Sequence, residues 1–473
     1  MLKKNDLVNL KITDLTNLGF GVGREGGIVV FVSGTVPEDE VEVKIIKSAS
    51  SYAVGRVEKF IKKSPLRVCD RCNNAACTSC AYKSVSYEHE LKIKRRDVEE
   101  AFAKAGLSSI EVTEVTPSPA QNGYRNKAQY PISRARDGEY VIGFYAPKSH
   151  RVTEARGCPL APKIFSEILD TLARFFKKHD LSTYDEESGE GLLRHVYLRR
   201  GEVSGEILLT LVVNGKALQR SDELVAEITS RYPTVVGILL NVNTKNTNVV
   251  LGDEYITLFG RDYIFDTLGG VRLKITAPSF YQVNRSAADL LYAKAKELAS
   301  PTKSDLLLDL YCGAGSIGLS MADAAGKVIG IEIVASAVEC AKFNAAANGI
   351  TNAEFYTGDA SETEKLLSHA EISRDERILP DIIVLDPPRA GCDERLLRYV
   401  AGLSPKRIVY VSCNPQTLAR DAVIFKSLGY EADTVYPFDL FPATGHVESV
   451  VRLTQRIART RYKQYEHKRK ALI

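Results

Sequence analysis

At 473 residues the chain has room for roughly two to four domains, and its 44% hydrophobic and 26% charged residues are ordinary for a soluble globular protein. The net charge of +4 admits a nucleic-acid partner without requiring one. No apolar run approaches the roughly 20 residues of a membrane helix, and nine cysteines, an odd number with four of them between Cys69 and Cys80, exclude a secreted disulfide framework in favour of metal or catalytic use. Met1 to Asp6 lacks the apolar core of a signal peptide, so a cytoplasmic protein away from membranes is expected, and nothing indicates an oligomer: a monomer is expected.

From Asn5 to about Ile61 short strands alternate, with Val41, Val43 and Ile45 pointing one way and Glu42 and Lys44 the other. Glycines 19, 21, 23, 26 and 27 and the Pro37-Glu38-Asp39 turn punctuate them. The pattern predicts a small five-stranded barrel of the oligonucleotide-binding kind over residues 1–62. In its Gly19-Phe20-Gly21-Val22-Gly23 turn, its Val36 to Val43 strand start and its length, this stretch resembles the TRAM domain that precedes many RNA-modifying enzymes.

A central strand-rich region follows, 63–272, opening on a cysteine cluster: Cys69, Cys72, Cys77 and Cys80. Four thiols so close in sequence suit a structural zinc ion, but zinc ribbons separate their Cys pairs by roughly 15 to 20 residues. Tight clustering with a distant further ligand is the habit of iron-sulfur centres, and Cys158 is a candidate for that ligand. Lys92 to Arg96 reads as a solvated helix face. Arg194 to Arg200 places cations and Tyr197 on an extended segment, a composition suited to phosphates and unstacked bases, or to surface charges around an apolar strand.

From Leu273 strands and helices alternate, which predicts a doubly wound parallel sheet over 273–455, followed by a basic tail, 456–473, that reads as solvated. The buried strand Leu306 to Leu310 runs into Tyr311-Cys312-Gly313-Ala314-Gly315-Ser316-Ile317-Gly318, whose glycines let backbone approach a ligand. The next strand ends in Glu332, placed to hold a ribose diol. These features fit both a nicotinamide dehydrogenase and an S-adenosylmethionine (SAM) methyltransferase. Asp386-Pro387-Pro388-Arg389 decides for the latter, because two prolines make a rigid floor that holds Asp386 against a cofactor and a flat substrate. Cys413 follows the strand Ile408 to Val411, which Asn414-Pro415 ends. Alone it would be a packed cysteine; at a strand tip facing a cleft it is where open α/β sheets put their chemistry.

Together these residues resemble the RNA uracil-5-methyltransferase family, in particular the branch that carries a TRAM domain and an iron-sulfur cluster and modifies 23S ribosomal RNA. The matching stretches are Tyr124 to Pro131, Gly143 to Tyr145 with Ser149-His150, Ser279 to Asn284, Asp309 to Gly318, Asp386 to Gly391, Val411 to Asp421 and Phe441 to Glu448. The resemblance implies a Rossmann-like α/β SAM methyltransferase domain behind the barrel and the central domain. It implies Cys413 as the thiolate that adds to carbon 6 of uracil and Glu448 as the base that removes the proton from carbon 5. It also implies SAM contacts from Gln282, Tyr311, Gly313, Gly315, Glu332 and Asp386, and a [4Fe-4S] cluster on the cysteines. Asp359, at the next strand end, is expected near the adenine. Thr78-Ser79 stands where the family has two glycines, which leaves the first cluster ligand open between Cys72 and Cys69, with Cys72 preferred. RNA, extruding its target base, is the expected partner. The same chemistry on transfer RNA and an inactive RNA-binding or assembly factor are the alternatives.

Overall fold

The computed structural model of the chain describes residues 2–69, 72, 74, 77–147, 149–363 and 379–456, so that the expected basic tail, apart from Arg456, lies outside the described residues. At the N-terminus, β1 (Leu7–Lys11), β2 (Asp14–Leu15), β3 (Phe20–Glu25), β4 (Ile28–Ser33), β5 (Glu40–Ser48) and β6 (Tyr52–Lys62) form one sheet in the order β1-β5-β6-β4-β3-β2. β1 pairs with β5 and β2 with β3, at opposite ends of that order, and only Ile12 and Thr13 separate them. One stretch of chain therefore joins both edges and curls the sheet into a barrel, which removes exposed strand edges. Val41, Val43 and Ile45 face its core, as their alternation with charged residues predicts.

The second layer is a seven-stranded sheet built from β8 (Lys127–Arg134), β9 (Tyr140–Tyr145), β10 (Val152–Glu154), β11 (Leu193–Arg200), β12 (Ile207–Val213), β13 (Val235–Val242) and β14 (Glu254–Gly260). Its helices are α2 (Lys163–Lys178), whose Phe165, Ile168, Leu172 and Phe176 form one buried stripe, and α3 (Ser221–Arg231). β11 lies in the interior, paired on both edges, and this corrects the expectation for Arg194 to Arg200. Arg194 donates to the carbonyls of Asn243 at 2.7 Å and Lys245 at 2.9 Å, while Arg199 donates to the Tyr197 hydroxyl at 3.0 Å and to the Ser279 carbonyl. These cations satisfy buried acceptors, so neither phosphates nor bases reach them.

A hairpin of β15 (Tyr263–Leu268) and β16 (Val271–Thr276) links this layer to the third, and the expected boundary at 272/273 falls inside β16. The third layer comprises α4 (Arg285–Ala299), β17 (Leu306–Leu310), α5 (Ser316–Met321), β18 (Lys327–Glu332), α6 (Ala335–Ala347), β19 (Ala353–Thr357), β20 (Ile382–Leu385), α7 (Glu394–Gly402), β21 (Arg407–Ser412), α8 (Pro415–Ser427), β22 (Tyr430–Phe438) and β23 (Glu448–Gln455). The sheet order is β19-β18-β17-β20-β21-β23-β22-β7, where β7 (Glu111–Val112) and the helix before it, α1 (Tyr87–Lys104), come from the region the sequence groups with the central domain. β17 to β21 run parallel and are apolar along most of their lengths, as strands covered on both faces are, the buried Asp309 of β17 being an exception; β23 alone runs against its neighbours. The order reverses between β18-β17 and β17-β20, and such a reversal opens a crevice at the carboxyl ends of the strands.

Lys92 to Arg96, expected as a solvated face of α1, is only partly so. Lys94 is fully buried, 2.8 Å from Glu90 and 2.7 Å from Asp439, and donates to the Phe441 carbonyl at 3.1 Å. Arg96 pairs with Asp14 of the barrel at 2.5 Å. A Cβ at Gly445 would collide with the Asn17 carbonyl, so the barrel's first turn rests directly on the loop that leads into β23.

Candidate active site

The crevice is built from strand ends in register. Leu310 pairs with both Ile331 and Leu385, and one residue further along these strands stand Tyr311, Glu332 and Asp386. Tyr311 adopts φ +64°, a conformation that costs about 1–3 kcal/mol and tends to persist at functional sites. The Glu332 carboxylate accepts from the backbone amides of Gly313 at 3.1 Å and Val334 at 2.9 Å, which fixes the glycine turn against the end of β18. Gly315 caps α5 at φ +80°, and a side chain there would meet the Phe355 ring at 2.9 Å.

Beside this row lies a cavity of about 620 Å³ lined by Tyr311, Glu332, Asp359, Gly391 and Arg395. Gly313, Gly315, Gln282 and Asp386 are outside its lining; Gln282 is buried and its carbonyl accepts from Asn126 at 2.8 Å. The Ser361 amide and hydroxyl hold the Asp359 carboxyl below its ordinary range.

Cys413 follows β21. Ser412 pairs with Ser449 in antiparallel register, so one step further Cys413 is opposite Glu448, the first residue of β23. Burial pushes the Cys413 thiol up to about 11, with the Glu448 and Asp386 carboxylates adding to the shift and Arg389 opposing it. Burial likewise pushes Glu448 up to about 8, again with Asp386 raising and Arg389 lowering it, and burial alone pushes Asp386 to about 7. One thiol and two carboxyls thus titrate within one another's field. Perturbed groups facing one crevice are a mark of catalytic chemistry.

The loop after β20 is locked to the loop after β21. Asn414 Nδ2 donates to the Arg389 carbonyl at 3.0 Å while its Oδ1 caps α8. The buried Asp421 carboxylate accepts from the Cys392 amide at 2.9 Å, the Tyr410 hydroxyl at 2.6 Å and Arg420 at 2.8 Å. The Arg389 guanidinium points back at the site and lies 3.4 Å from His446 Nε2.

A second cavity, of about 240 Å³, is lined by Cys72, Cys77, Cys80 and Cys158 together with Arg125 and Arg156. Cys69 is exposed and is not part of the lining. Burial and the neighbouring thiols push Cys80 up to about 12. Among the described residues no three His, Cys, Asp or Glu side chains form a ready-made metal-holding group. The cavity backs onto the loop before Glu448: Cys80 and Cys158 pack against Tyr124, Leu160 and Ala443, and Tyr82 donates its amide to the Ala443 carbonyl at 2.9 Å.

Residues 86–456 match the family model described as tRNA (uracil-5-)-methyltransferase, and residues 3–57 match that of the TRAM domain. The chain belongs to the tRNA (uracil-5-)-methyltransferase family. Similar family members are an RNA methyltransferase of Bacillus cereus, 39% identical over 96% of this chain and 98% of its own length, and one of Clostridium tetani, 39% identical over 96% and 97%. Among solved structures, the tRNA (uracil-54, C5)-methyltransferase of Pyrococcus abyssi in complex with S-adenosyl-L-homocysteine is similar at a TM-score of 0.76, with 29% identity over 94% of this chain and 100% of that one. This family member is therefore an RNA uracil-5-methyltransferase that uses SAM as methyl donor.

Two members of the site carry signals that sequence reading passed over. Asp309 is an acid inside the apolar strand Leu306 to Leu310; its Oδ2 accepts from the Gly318 amide at 2.8 Å, its Oδ1 is buried without a partner, and burial pushes it to about 7. Arg389 sits within the Asp-Pro-Pro-Arg motif, and its place beside Cys413 and Glu448 emerges only when β21 and β23 pair.

Proposed function

We propose that this enzyme methylates carbon 5 of a specific uridine in 23S ribosomal RNA, in the cytoplasm, through a covalent adduct between Cys413 and carbon 6 of the base. The observation that carries the reading is Cys413 opposite Glu448 beside Asp386, on the same sheet edge as Tyr311 and Glu332, which line the larger cavity. Its volume and its Glu332 and Asp359 acids suit a nucleoside with ribose hydroxyls and an adenine edge. Bound SAM supplies an electrophilic methyl group.

Carbon 5 of uracil is too weak a nucleophile to attack a sulfonium methyl directly. The Cys413 thiol loses its proton to the neighbouring Asp386 carboxylate as its sulfur adds to carbon 6 and turns the ring into an enolate; carbon 5 then takes the methyl group as the sulfonium–methyl bond breaks and leaves a neutral thioether. Glu448 then removes the proton left on carbon 5, the bond from carbon 6 to Cys413 breaks, and the ring regains its double bond. Asp386 contacts the uracil edge and the donor, Gln282 and Tyr311 line the approach, and Gly313 and Gly315 admit the methionine portion.

Cys72, Cys77, Cys80 and Cys158 would hold a [4Fe-4S] cluster, four sulfur donors around one cavity being the donor set such a cluster takes. With Cys69 outside the lining, the cavity supports Cys72 as the first ligand. The barrel and the thiol-lined cavity, resembling the ribosomal RNA branch, favour 23S RNA. A transfer-RNA substrate is the second reading, favoured by the activity of the Pyrococcus abyssi relative.

RNA carrying 5-fluorouridine tests the mechanism, because fluorine blocks the final deprotonation. The wild-type enzyme with SAM should form an adduct stable to denaturant that maps to Cys413. No adduct, or one on another residue, would overturn it. Mass spectrometry of methylated 23S fragments and of transfer RNA separates the substrates, and modification of transfer RNA alone would replace the ribosomal assignment.

A further inference from the structure

We propose that the outward face of the β15–β16 hairpin, with Phe343 of α6, is a second RNA contact that holds a single-stranded segment flanking the target uridine. The inference rests on the RNA methyltransferase reading above and adds a surface outside the crevice. Along the hairpin Ile264, Leu268, Val271, Leu273 and Ile275 face the core, so Tyr263, Phe265, Arg272 and Lys274 face outward. Phe265 and Lys274 are direct cross-strand partners.

The outward residues form a ladder of rings and cations. The Arg272 guanidinium lies 3.8 Å from the Phe265 ring centre, and the Lys274 ammonium lies 4.4 Å from Tyr263 and 5.1 Å from Phe343. Phe265 and Phe343 are stacked at 22°, 6.4 Å apart, and Phe343 is 42% exposed. Neither Arg272 nor Lys274 has an acidic partner among the described residues, whereas neighbouring Arg261 pairs with Glu206. Two cations without acidic partners, set over a run of flat rings on one strand face, mark a place for phosphates and bases. An apolar protein partner would instead need a groove with the cations at its rim. The surface also leads to the chemistry, because β16 runs directly into the segment that carries exposed Phe280 and buried Gln282.

The test is fluorescence anisotropy of a uridine-rich single-stranded RNA oligonucleotide over a series of salt concentrations. Arg272→Ser/Lys274→Ser should weaken binding roughly ten-fold and lower the log–log salt slope by about 1.4, the share of two phosphates. Phe265→Leu/Phe343→Leu should weaken binding with the slope unchanged. Both variants should keep wild-type melting temperatures and S-adenosylhomocysteine affinity. Wild-type affinity and slope in both overturn the inference, and leave the reaction standing if the wild-type enzyme methylates RNA. Failure of the wild-type enzyme to methylate any RNA would overturn the underlying reading instead.

Discussion

Cys413 and Glu448 stand across from each other at the open end of the only antiparallel junction between β21 and its neighbours, one residue beyond the Ser412–Ser449 pair. A strand reversed at this point brings a residue from the start of β23 to the tip of β21, which another parallel strand would not do. The thiol and the carboxyl therefore share one rigid frame rather than meeting across a mobile loop.

Glu448→Gln keeps the shape of the side chain and removes the base. Turnover should fall by roughly 10²- to 10⁴-fold while a covalent enzyme–RNA species accumulates, since addition and methyl transfer precede the missing step. Denaturing gels of the variant with SAM and labelled RNA check this. Accumulation should vanish in Cys413→Ala/Glu448→Gln; a band that survives would rule out the assigned nucleophile.

Glu448 titrates at about 8 in the fold against an ordinary 4.5, so the folded state binds more protons than the unfolded state between those values. Stability contributed by the protonated form is complete below about 4.5 and is lost as pH rises through about 8. Glu448→Gln should therefore melt higher than wild type at pH 8.5, by an amount equivalent to a few kcal/mol, and equally at pH 4. The same ionisation makes breakdown of the covalent wild-type adduct speed up as pH rises through about 8, and Arg389→Met should shift that limb to higher pH. Scanning calorimetry and a pH–rate profile read the two effects, and a higher wild-type melting temperature at pH 8.5 would contradict the first.

Lys94 holds Glu90 and Asp439 in a fully buried cluster, and Glu90 also accepts from the Ala443 amide at 2.7 Å. Lys94→Met leaves two carboxyls without their cation and should cost about 3–5 kcal/mol. Neutralising all three in Lys94→Met/Glu90→Gln/Asp439→Asn should recover part of that loss. Urea denaturation measures both, and a triple variant less stable than the single one would argue against charge as the cause.

The five cysteines around the central domain should divide into two classes. Serine at Cys72, Cys77, Cys80 or Cys158 should lose bound iron and visible absorption after anaerobic purification, whereas Cys69→Ser should retain both. Iron retained in Cys72→Ser and lost in Cys69→Ser would reverse the ligand choice.

The strand-and-turn architecture was readable along the chain because it depends on neighbours in sequence. Alternating Val41, Val43 and Ile45, the glycine turn after Leu310 and the Asn414-Pro415 stop are local signals, and each marks an element where the structure has one. The ordered motifs that bring Tyr311, Glu332, Asp386 and Cys413 to one edge follow from the same periodicity.

Burial of charge is another matter, since a cation's environment depends on partners far away in the chain. Lys94 four residues after Glu90 looks like any solvated helix pair until Asp439, 345 residues on, closes over it. Arg194 and Arg199 look like nucleic-acid ligands until β8 and β12 cover their strand, and then backbone carbonyls take their hydrogen bonds. Which cysteines ring a cavity, and that Arg389 faces Cys413, are likewise matters of packing. Local periodicity writes the elements into the chain; long-range pairing and desolvation choose which of its polar residues meet RNA and which hold the fold together.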